Sequence, residues 1–516
     1  MRRAKIYISM LMVVALLFLA ACGSGNTSSG SNGTGSTGSS SGTSSSGNSS
    51  SSGNSSSSQE PPYEVVMGYP VLGEVPADID EVEAAINEIT LEKINATVKL
   101  SRIPIGQWFQ QKNLILASNE KYDLILTDFQ SYSAAVAQNQ FLELDELLEQ
   151  YGQDIRAALG ANLDVARING SIYATPVKGF NEAGTALMMR KDLLDKYGID
   201  ASSIKGTNDL DAVYATIKAN EPDMTVLAPS NSTMPMTSVI DWLNVDMLTD
   251  GLGVLPNDAT DMKVVNYYEL PEYVEALKKL RSWYQAGYIP KDAVNNKANP
   301  QDLMRNGDSF SHYEGYTVFL AAQLSATTGR ELVSIMMQEP VLTTQNVIGL
   351  MWAIPRNNTK NPQKAMEMLN LFYTDKDIIN LINYGIEGKH YTKVDDQVIR
   401  LNENSGYTMN QAFMFGNRYL TYVLEGEDPA LRDEDKVLGE SMQRSRALGF
   451  LPNLEAVQTE VAAVNNVLEQ YRTALETGSV DPDKVHPEFI SKLKAAGIDT
   501  IIAEKQRQLD EWLAQK

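Results

Sequence analysis

Tyr63-Glu64-Val65-Val66-Met67-Gly68-Tyr69 is a short apolar run, and it reads as a first β-strand. Asp78 then marks a helix start, with Glu81 three residues on as its capping-box partner. Ile79, Val82, Ile86 and Ile89 share one face at helical spacing. Ala96 to Arg102 alternates, with Val98 and Leu100 inward, as a second strand. Gln107 to Asn119 reads as a helix, and Tyr122-Asp123-Leu124-Ile125-Leu126 as a buried strand. Strand, helix, strand, helix, strand is the order of an α/β domain with a mainly parallel sheet. Ligands of such sheets bind beyond the carboxyl ends of the strands, which places Thr127, Asp128 and Phe129 near a site. Asp128 has a second reading, as the cap of a helix that starts near Tyr132.

Upstream, every residue from Gly23 to Ser58 is Gly, Ser, Asn or Thr, a composition that cannot build a core. A flexible chain of this length reaches roughly 30–36 Å r.m.s.. The match of Gly38-Ser39-Ser40-Ser41-Gly42 to the hydrolase pattern G-x-S-x-G comes from low complexity, since that motif needs a strand before it and a helix after it. Before the tether, Arg2, Arg3 and Lys5 lead into an apolar run, Ile6 to Ala20, that ends Leu19-Ala20-Ala21-Cys22-Gly23. This is a secretory signal, and a Cys after small residues resembles the lipobox of bacterial lipoproteins. There the signal is cut before the Cys, whose sulfur takes a diacylglycerol. The run is shorter than the ~20 residues of a membrane span. Cys22 is the only cysteine, so it has no disulfide partner within the chain. The formal net charge is −22, and loss of the signal removes three cations more. So acidic a chain argues against nucleic acid and against electrostatic adsorption to anionic lipid.

Downstream, Leu142 to Leu159 reads as one or two helices. Asn169-Gly170 lies between Val165–Ile168 and Ser171–Ala174, a hairpin signal because a type I′ turn needs positive φ at both positions. A strand Thr185 to Met189 and a helix Lys191 to Tyr197, stopped by Gly198, come next. Asn208 to Ala219 and Pro271 to Gln285 read as helices, the second opened by its proline. Val347 to Ile354 reads as a strand, Pro362 to Tyr373 as a helix, Lys393 to Leu401 as a hairpin arm, and Asp435 onward as largely helical.

Ile168-Asn169-Gly170-Ser171-Ile172-Tyr173-Ala174-Thr175-Pro176, followed by Leu187-Met188-Met189-Arg190-Lys191-Asp192-Leu193-Leu194, resembles the extracellular solute-binding proteins of ABC importers. Met304-Arg305-Asn306-Gly307-Asp308 looks like their turn of re-entry into the first lobe. Trp352-Ala353-Ile354-Pro355 with Asn361-Pro362-Gln363-Lys364-Ala365 resembles the start of their later helical part. Asn383-Tyr384-Gly385-Ile386-Glu387-Gly388-Lys389-His390-Tyr391 is similar to a segment of the large Gram-positive lipoproteins with an added helical region. The resemblance implies an α/β, two-lobed periplasmic-binding-protein-like fold (type II) with hinge-crossing strands and a helical C-terminal region. It implies a signal over 1–21 and a lipidated Cys22 with its tether over 22–60. Lobe 1 is expected over 61–178 plus about 303–345, lobe 2 over 179–302 plus about 346–434, and a helical extension packed on the lobes over 435–516.

The implied function is capture of a carbohydrate by lobe closure and its delivery to the transmembrane subunits of an ABC permease. The implied place is the outer face of the cell membrane, held by palmitate-type lipid. A monomer is expected, with no cofactor, no metal and no nucleic acid. A sugar offers apolar C–H faces and a rim of hydroxyls, so its binder needs aromatic platforms and a few aimed polar groups. Trp352 on the returning strand is the first candidate, with core packing as its other reading. Asp128 and Phe129 follow the third strand. Lys178, Phe180, Asn181 and Glu182 lie at the first crossing. Asp241 and Trp242 form a polar–aromatic pair that also suits a packed helix. His312, Tyr313, Glu314 and Tyr316 form a dense cluster, and Glu387 and His390 stand in a segment that is either a site or, with Gly385 and Gly388, a pair of tight turns.

Other functions leave weaker marks. His312, His390 and His486 are far apart, and no H-E-x-x-H or zinc-type Cys/His set occurs. Gly385–Lys389 lacks phosphate-loop spacing. Asp246 with Asp250-Gly251 hints at a calcium loop, but Leu248 occupies a ligand position and no Glu follows at the right distance. A glycosidase needs only two carboxylates, which no count among 65 acids reveals. The alternative within the same fold is a peptide binder or a lipoprotein that presents ligand to a sensor.

Overall fold

Alternating β-branched residues and amphipathic helices build the first sheet as the sequence suggests. β1 (Tyr63–Val71), α1 (Ile79–Ile94), β2 (Ala96–Pro104), α2 (Ile105–Ala117), β3 (Leu124–Asp128) and α3 (Phe129–Ala137) follow one another. β1 runs parallel to β2, with Val71 beside Pro104, and parallel to β3, with Met67 beside Leu124. A hairpin turns at Asn169 and Gly170, both at positive φ as its sequence requires. β4 (Ala174–Pro176) then leads across to β5 (Thr185–Arg190), β6 (Thr225–Leu227), β7 (Ser309–Gly315) and β8 (Leu332–Gln338). These four form a second sheet, ordered β8-β5-β7-β6. β9 (Val341–Leu342) and β10 (Leu350–Ala353) bring the chain back, and the first sheet is ordered β2-β1-β3-β10-β4. This computed structural model describes residues 60–516 except 73–74, 180–183, 230–243, 259, 297, 404, 408 and 410. The predicted signal, Cys22 and, but for Glu60, the tether lie outside the described residues.

Two lobe assignments need correction. Residues 303–345 were expected to rejoin lobe 1, yet β7 pairs with β5 through His312–Met188 and Tyr313–Leu187, and β8 pairs with β5 through Val333–Met189. Both strands belong to the second sheet. The expected lobe 2 strand near 347–354 is β10, which pairs Trp352 with Leu126 on one side and with Thr175 on the other. Its first residue, Val347, instead ends a short helix, Thr344–Val347, opened by a Thr343–Asn346 capping box. The supposed re-entry turn is the end of a helix, Pro300–Asn306, capped by Gly307 at φ +89°. Central strands are covered on both faces, so their sequence does not say which sheet they join.

Each sheet has its own core. The first contains Tyr69, Leu126, Trp352, Phe372 and Phe415, with buried faces from α4 (Pro362–Thr374) and α5 (Lys376–Tyr384). α6 (Ala430–Ser441) begins before the expected boundary at 435 and leads through β11 (Gln443–Arg444), which pairs with β9. The final helices are α7 (Gln458–Glu476), α8 (Pro482–Ala496) and α9 (Ile498–Leu513). Their buried residues Val464, Leu475, Phe489, Leu493 and Ile501 join the core of the second sheet with Tyr273, Leu277 and Leu280 of the Pro271–Gln285 helix. The helical extension is thus an added layer on the second lobe. Among the described residues, the chain leaves the first sheet after β4 and enters the second at β5, and it returns from β8 through β9 to β10, with β11 beside β9.

Candidate functional site

The carboxyl ends of β1, β2 and β3 form one rim of the first sheet, the edge from which β4 departs for the second sheet. Leu72 and Ile105 follow the paired ends of β1 and β2, and both are exposed. Phe109 lies one helical turn beyond Ile105 on the same face of α2 and is 54% exposed. The ammonium of Lys112, itself buried, stands 5.6 Å from the Phe109 ring and donates to the Asp128 carboxylate at 2.8 Å. Asp128 also accepts from the backbone N–H groups of Gln130 and Ser131 at 3.0 Å. The capping reading of Asp128 is therefore the observed one. Phe129 is half-buried against the first core.

The opposite wall is polar. Side chains alternate along β7, so His312 and Glu314 share a face while Tyr313 turns into the second core. His312 is fully buried; its Nε2 lies 3.2 Å from Glu314 Oε1. Gln301 Nε2 donates to the same carboxylate oxygen at 3.2 Å. Burial pushes the Glu314 carboxyl upward, but His312 and Gln301 outweigh it and hold the group below its ordinary range. Glu314 and Tyr316, at the strand end, are the members of this cluster that reach the edge.

Between the walls the crossing is tied down by backbone. The Lys178 N–H donates to Gly416 O at 2.7 Å, and Arg418 N–H donates to Lys178 O at 3.2 Å. The Arg418 guanidinium then donates to Gly179 O at 2.9 Å and lies 4.8 Å above the Phe319 ring. Gly179 sits at φ +89°, and a Cβ there would stand 2.5 Å from Arg418 Cγ, so glycine is required for this approach. Tyr419 Oη donates to Asp435 at 2.8 Å. On the other side Tyr316 N–H donates to Gly184 O at 3.1 Å. Burial, then the charges of Glu434, Asp435 and Glu339, raise the Tyr316 hydroxyl, which keeps it a donor. Arg418, Phe319, Tyr316 and Tyr419 thus form a polar–aromatic floor drawn from both lobes. Of these four only Tyr316 was among the sequence candidates; Lys178 enters the crossing through its backbone.

Several candidates lie elsewhere. Trp352 is fully buried, donates from Nε1 to Met414 O at 2.7 Å, and packs on Tyr69, Phe372 and Phe415 at 6.0, 6.3 and 5.7 Å. It is a core residue, and its ring offers no face to a sugar. His390 is also fully buried. Its Nδ1 accepts the Ile386 N–H at 2.8 Å, and Nε2 stands 3.2 Å from Asp78 Oδ2. An acceptor at Nδ1 leaves the proton on Nε2, directed at Asp78. Glu387 pairs with Lys393 at 2.8 Å in the same turn. This segment is structural, and it also corrects the reading of Asp78, whose side chain makes no cap bond but takes His390 and Lys389. Phe180, Asn181, Glu182, Asp241 and Trp242 lie outside the described residues. Among the described residues no group of three or more His, Cys, Asp or Glu side chains is placed to hold a metal, and no helix is long and apolar enough to cross a membrane.

A family profile described as bacterial extracellular solute-binding protein matches residues 84–384. The chain belongs to this family. A second profile, described as a domain of unknown function, matches residues 446–514, the layer that holds α7 to α9. A carbohydrate ABC transporter substrate-binding protein of Streptococcus pneumoniae is 32% identical over 455 residues, covering 86% of this chain and 90% of the relative. Among solved structures, the N-glycan transport solute binding protein NgtS of the same organism matches with a TM-score of 0.79 and 29% identity, over 88% of this chain and 99% of that one. Its complex with Man1GlcNAc matches with a TM-score of 0.71 and 30% identity, over 87% and 99%. The two sheets, the crossing segments and the helical C-terminal region are the type II solute-binding fold.

Proposed function

We propose that this solute-binding protein captures a carbohydrate between its lobes and delivers it to an ABC permease from a lipid anchor on Cys22. The observation that carries the reading is the near full-length likeness to a relative named for carbohydrate transport. The local chemistry supports it. Exposed Leu72, Ile105 and Phe109 suit the C–H faces of a sugar, and Glu314, Tyr316, Tyr419 and Arg418 supply acceptors and donors for its hydroxyls. A ligand that touches both walls favours the closed state by its differential affinity for it. No bond of the ligand is made or broken in such a cycle, so the reading assigns no catalysis to this chain. Hydrolysis of ATP belongs to other subunits.

A melting screen tests it. Short mannose–GlcNAc glycans, other oligosaccharides and short peptides are added to the protein in turn. Ligand at about 100 times its dissociation constant adds roughly 2.7 kcal/mol of stability. A shift with one glycan class, without consumption of the glycan, is the expected result; a shift with peptides alone overturns the carbohydrate assignment. The anchor has a separate test: Cys22→Ser is expected to release the protein from the membrane fraction.

A further inference from the structure

The 246–253 loop, whose Asp246 and Asp250-Gly251 hint at calcium in sequence, wraps around an ammonium. Lys505 of α9 is fully buried, and its Nζ donates to Leu248 O at 3.3 Å, to Gly253 O at 3.2 Å and to the Asp250 carboxylate. An ammonium has three protons to give, and all three are taken. The loop is bent for this purpose. Leu248 and Thr249 have φ of +46° and +78°, and Gly251 and Gly253 have +73° and +106°. Leu248, whose side chain supplies no oxygen, supplies its carbonyl. Asp246, also buried, adds a second carboxylate near the ammonium. Its oxygens accept from Leu248 N–H at 2.9 Å and from the Ser445 hydroxyl.

We propose that this loop is a hard-cation site whose cation is Lys505, carried by the protein itself. Carboxylate and carbonyl oxygens converging on a coiled loop are the donors a calcium ion takes. Here a side chain from the last helix occupies the position and contributes one positive charge where a calcium ion contributes two. The tethered charge does mechanical work that a free ion does not. It joins α9 to the loop, and through Asp246 and Ser445 it joins both to the segment that follows the β9–β11 crossing. Burial lowers the Lys505 pKa, and the carboxylates of Asp250 and Asp246 oppose that fall. An ammonium so caged needs no metal beside it, and the loop remains closed at any calcium concentration.

The test is chemical rescue, read as melting temperature of the full chain. Wild type is expected to melt at the same temperature in millimolar CaCl2 and in EDTA. Lys505→Ala removes the ammonium and leaves the oxygen cage. It is expected to melt several degrees lower and to recover most of the loss with CaCl2, saturably, but not with NaCl of equal ionic strength. Adding Asp250→Asn to that variant is expected to abolish the recovery. Should Lys505→Ala not fold without calcium, folding that requires CaCl2 is the same result in stronger form. If calcium does not help it, the comparison passes to Lys505→Met. There a second change, Asp250→Asn, is expected to raise the melting temperature by removing the stranded carboxylate. The proposal is overturned if calcium stabilises wild type, if EDTA destabilises it, if a folded Lys505→Ala gains no more from CaCl2 than from NaCl, or, where Lys505→Ala does not fold even with calcium, if the double methionine–asparagine variant melts no higher than the single one.

Discussion

The two lobes are built on the same plan of sheet and helices, but their interiors differ in kind. The first core is closed by rings: Tyr69, Trp352, Phe372 and Phe415 meet edge-on or tilted at 5.0–6.3 Å. The second has ionisable groups sealed within it, Glu476 of α7 and Lys505 of α9, both fully buried. Both ionisable groups come from the C-terminal helices. A lobe completed by a late layer of helices thus acquires ionisable groups that partners inside must satisfy. The first lobe also buries Lys112, Asp123 and His390, and pairs them with Asp128, with Tyr63 and Thr359, and with Asp78. Its ring cluster is expected to be sensitive to volume, and Glu476 in the second lobe to pH.

Trp352→Ala gives the largest effect. Removing a fully buried indole from a packed ring cluster costs about 3–5 kcal/mol. It also leaves Met414 O without its donor. A large fall in melting temperature is expected, with glycan affinity unchanged in whatever fraction remains folded. Loss of affinity without loss of stability would return Trp352 to the site and break the contrast between interior and rim.

The second lobe is tested by pH. Burial raises the Glu476 carboxyl to about 8, with Arg472 and the Tyr273 hydroxyl, 3.3 Å away, pulling in the other direction. In the unfolded chain the group ionises near the ordinary glutamate value of 4.5. Between those two values the unfolded state holds fewer protons than the folded one, so stability falls as pH rises. The slope is at most about 1.4 kcal/mol per pH unit. The protonated form's contribution is full below pH 4.5 and is lost as pH passes about 8. Glu476→Gln is expected to flatten this fall and to melt higher than wild type at alkaline pH. A pH profile that does not change on substitution would remove the distinction between the two cores.

The difference between local and distant order decides what the sequence could tell. The strand–helix alternation from Tyr63 to Asp128, the Asn169-Gly170 turn and the helix Pro271–Gln285 were legible because each is set by neighbours a few residues apart. The sheet to which β7 or β10 belongs was not, because β10 pairs with residues more than 170 positions upstream. Asp78 looked like a cap because Glu81 follows it. Its real partners, Lys389 and His390, are over 300 residues away. The floor of the site was partly hidden for the same reason, since Arg418 and Tyr419 meet Gly179 and Asp435 through the fold alone.

Phe109 shows how narrow the margin was at the rim, and it offers the smallest and most specific test. The sequence holds Trp108 and Phe109 side by side. One step along a helix turns a side chain by about 100°, and that step sends Trp108 into the core and Phe109 into solvent. Reading the helix from Gln107, two residues late, removed the clue that Ile105 shares the outer face. An exposed ring makes little difference to the folded state, so Phe109→Ala is expected to leave the melting temperature within about 1 °C. Its loss from a sugar-facing rim is expected to weaken glycan binding about fivefold, the scale of ~1 kcal/mol for an aromatic contact. Calorimetric titration with the glycan found in the screen measures the affinity, and a thermal scan of the same preparation measures the melting temperature. Unchanged affinity would move the ligand away from the α2 edge, toward the floor made by Arg418, Phe319 and Tyr316. Lowered stability with unchanged affinity would instead make Phe109 a packing residue like its neighbour, and the rim of the first lobe would then differ from its interior in exposure only.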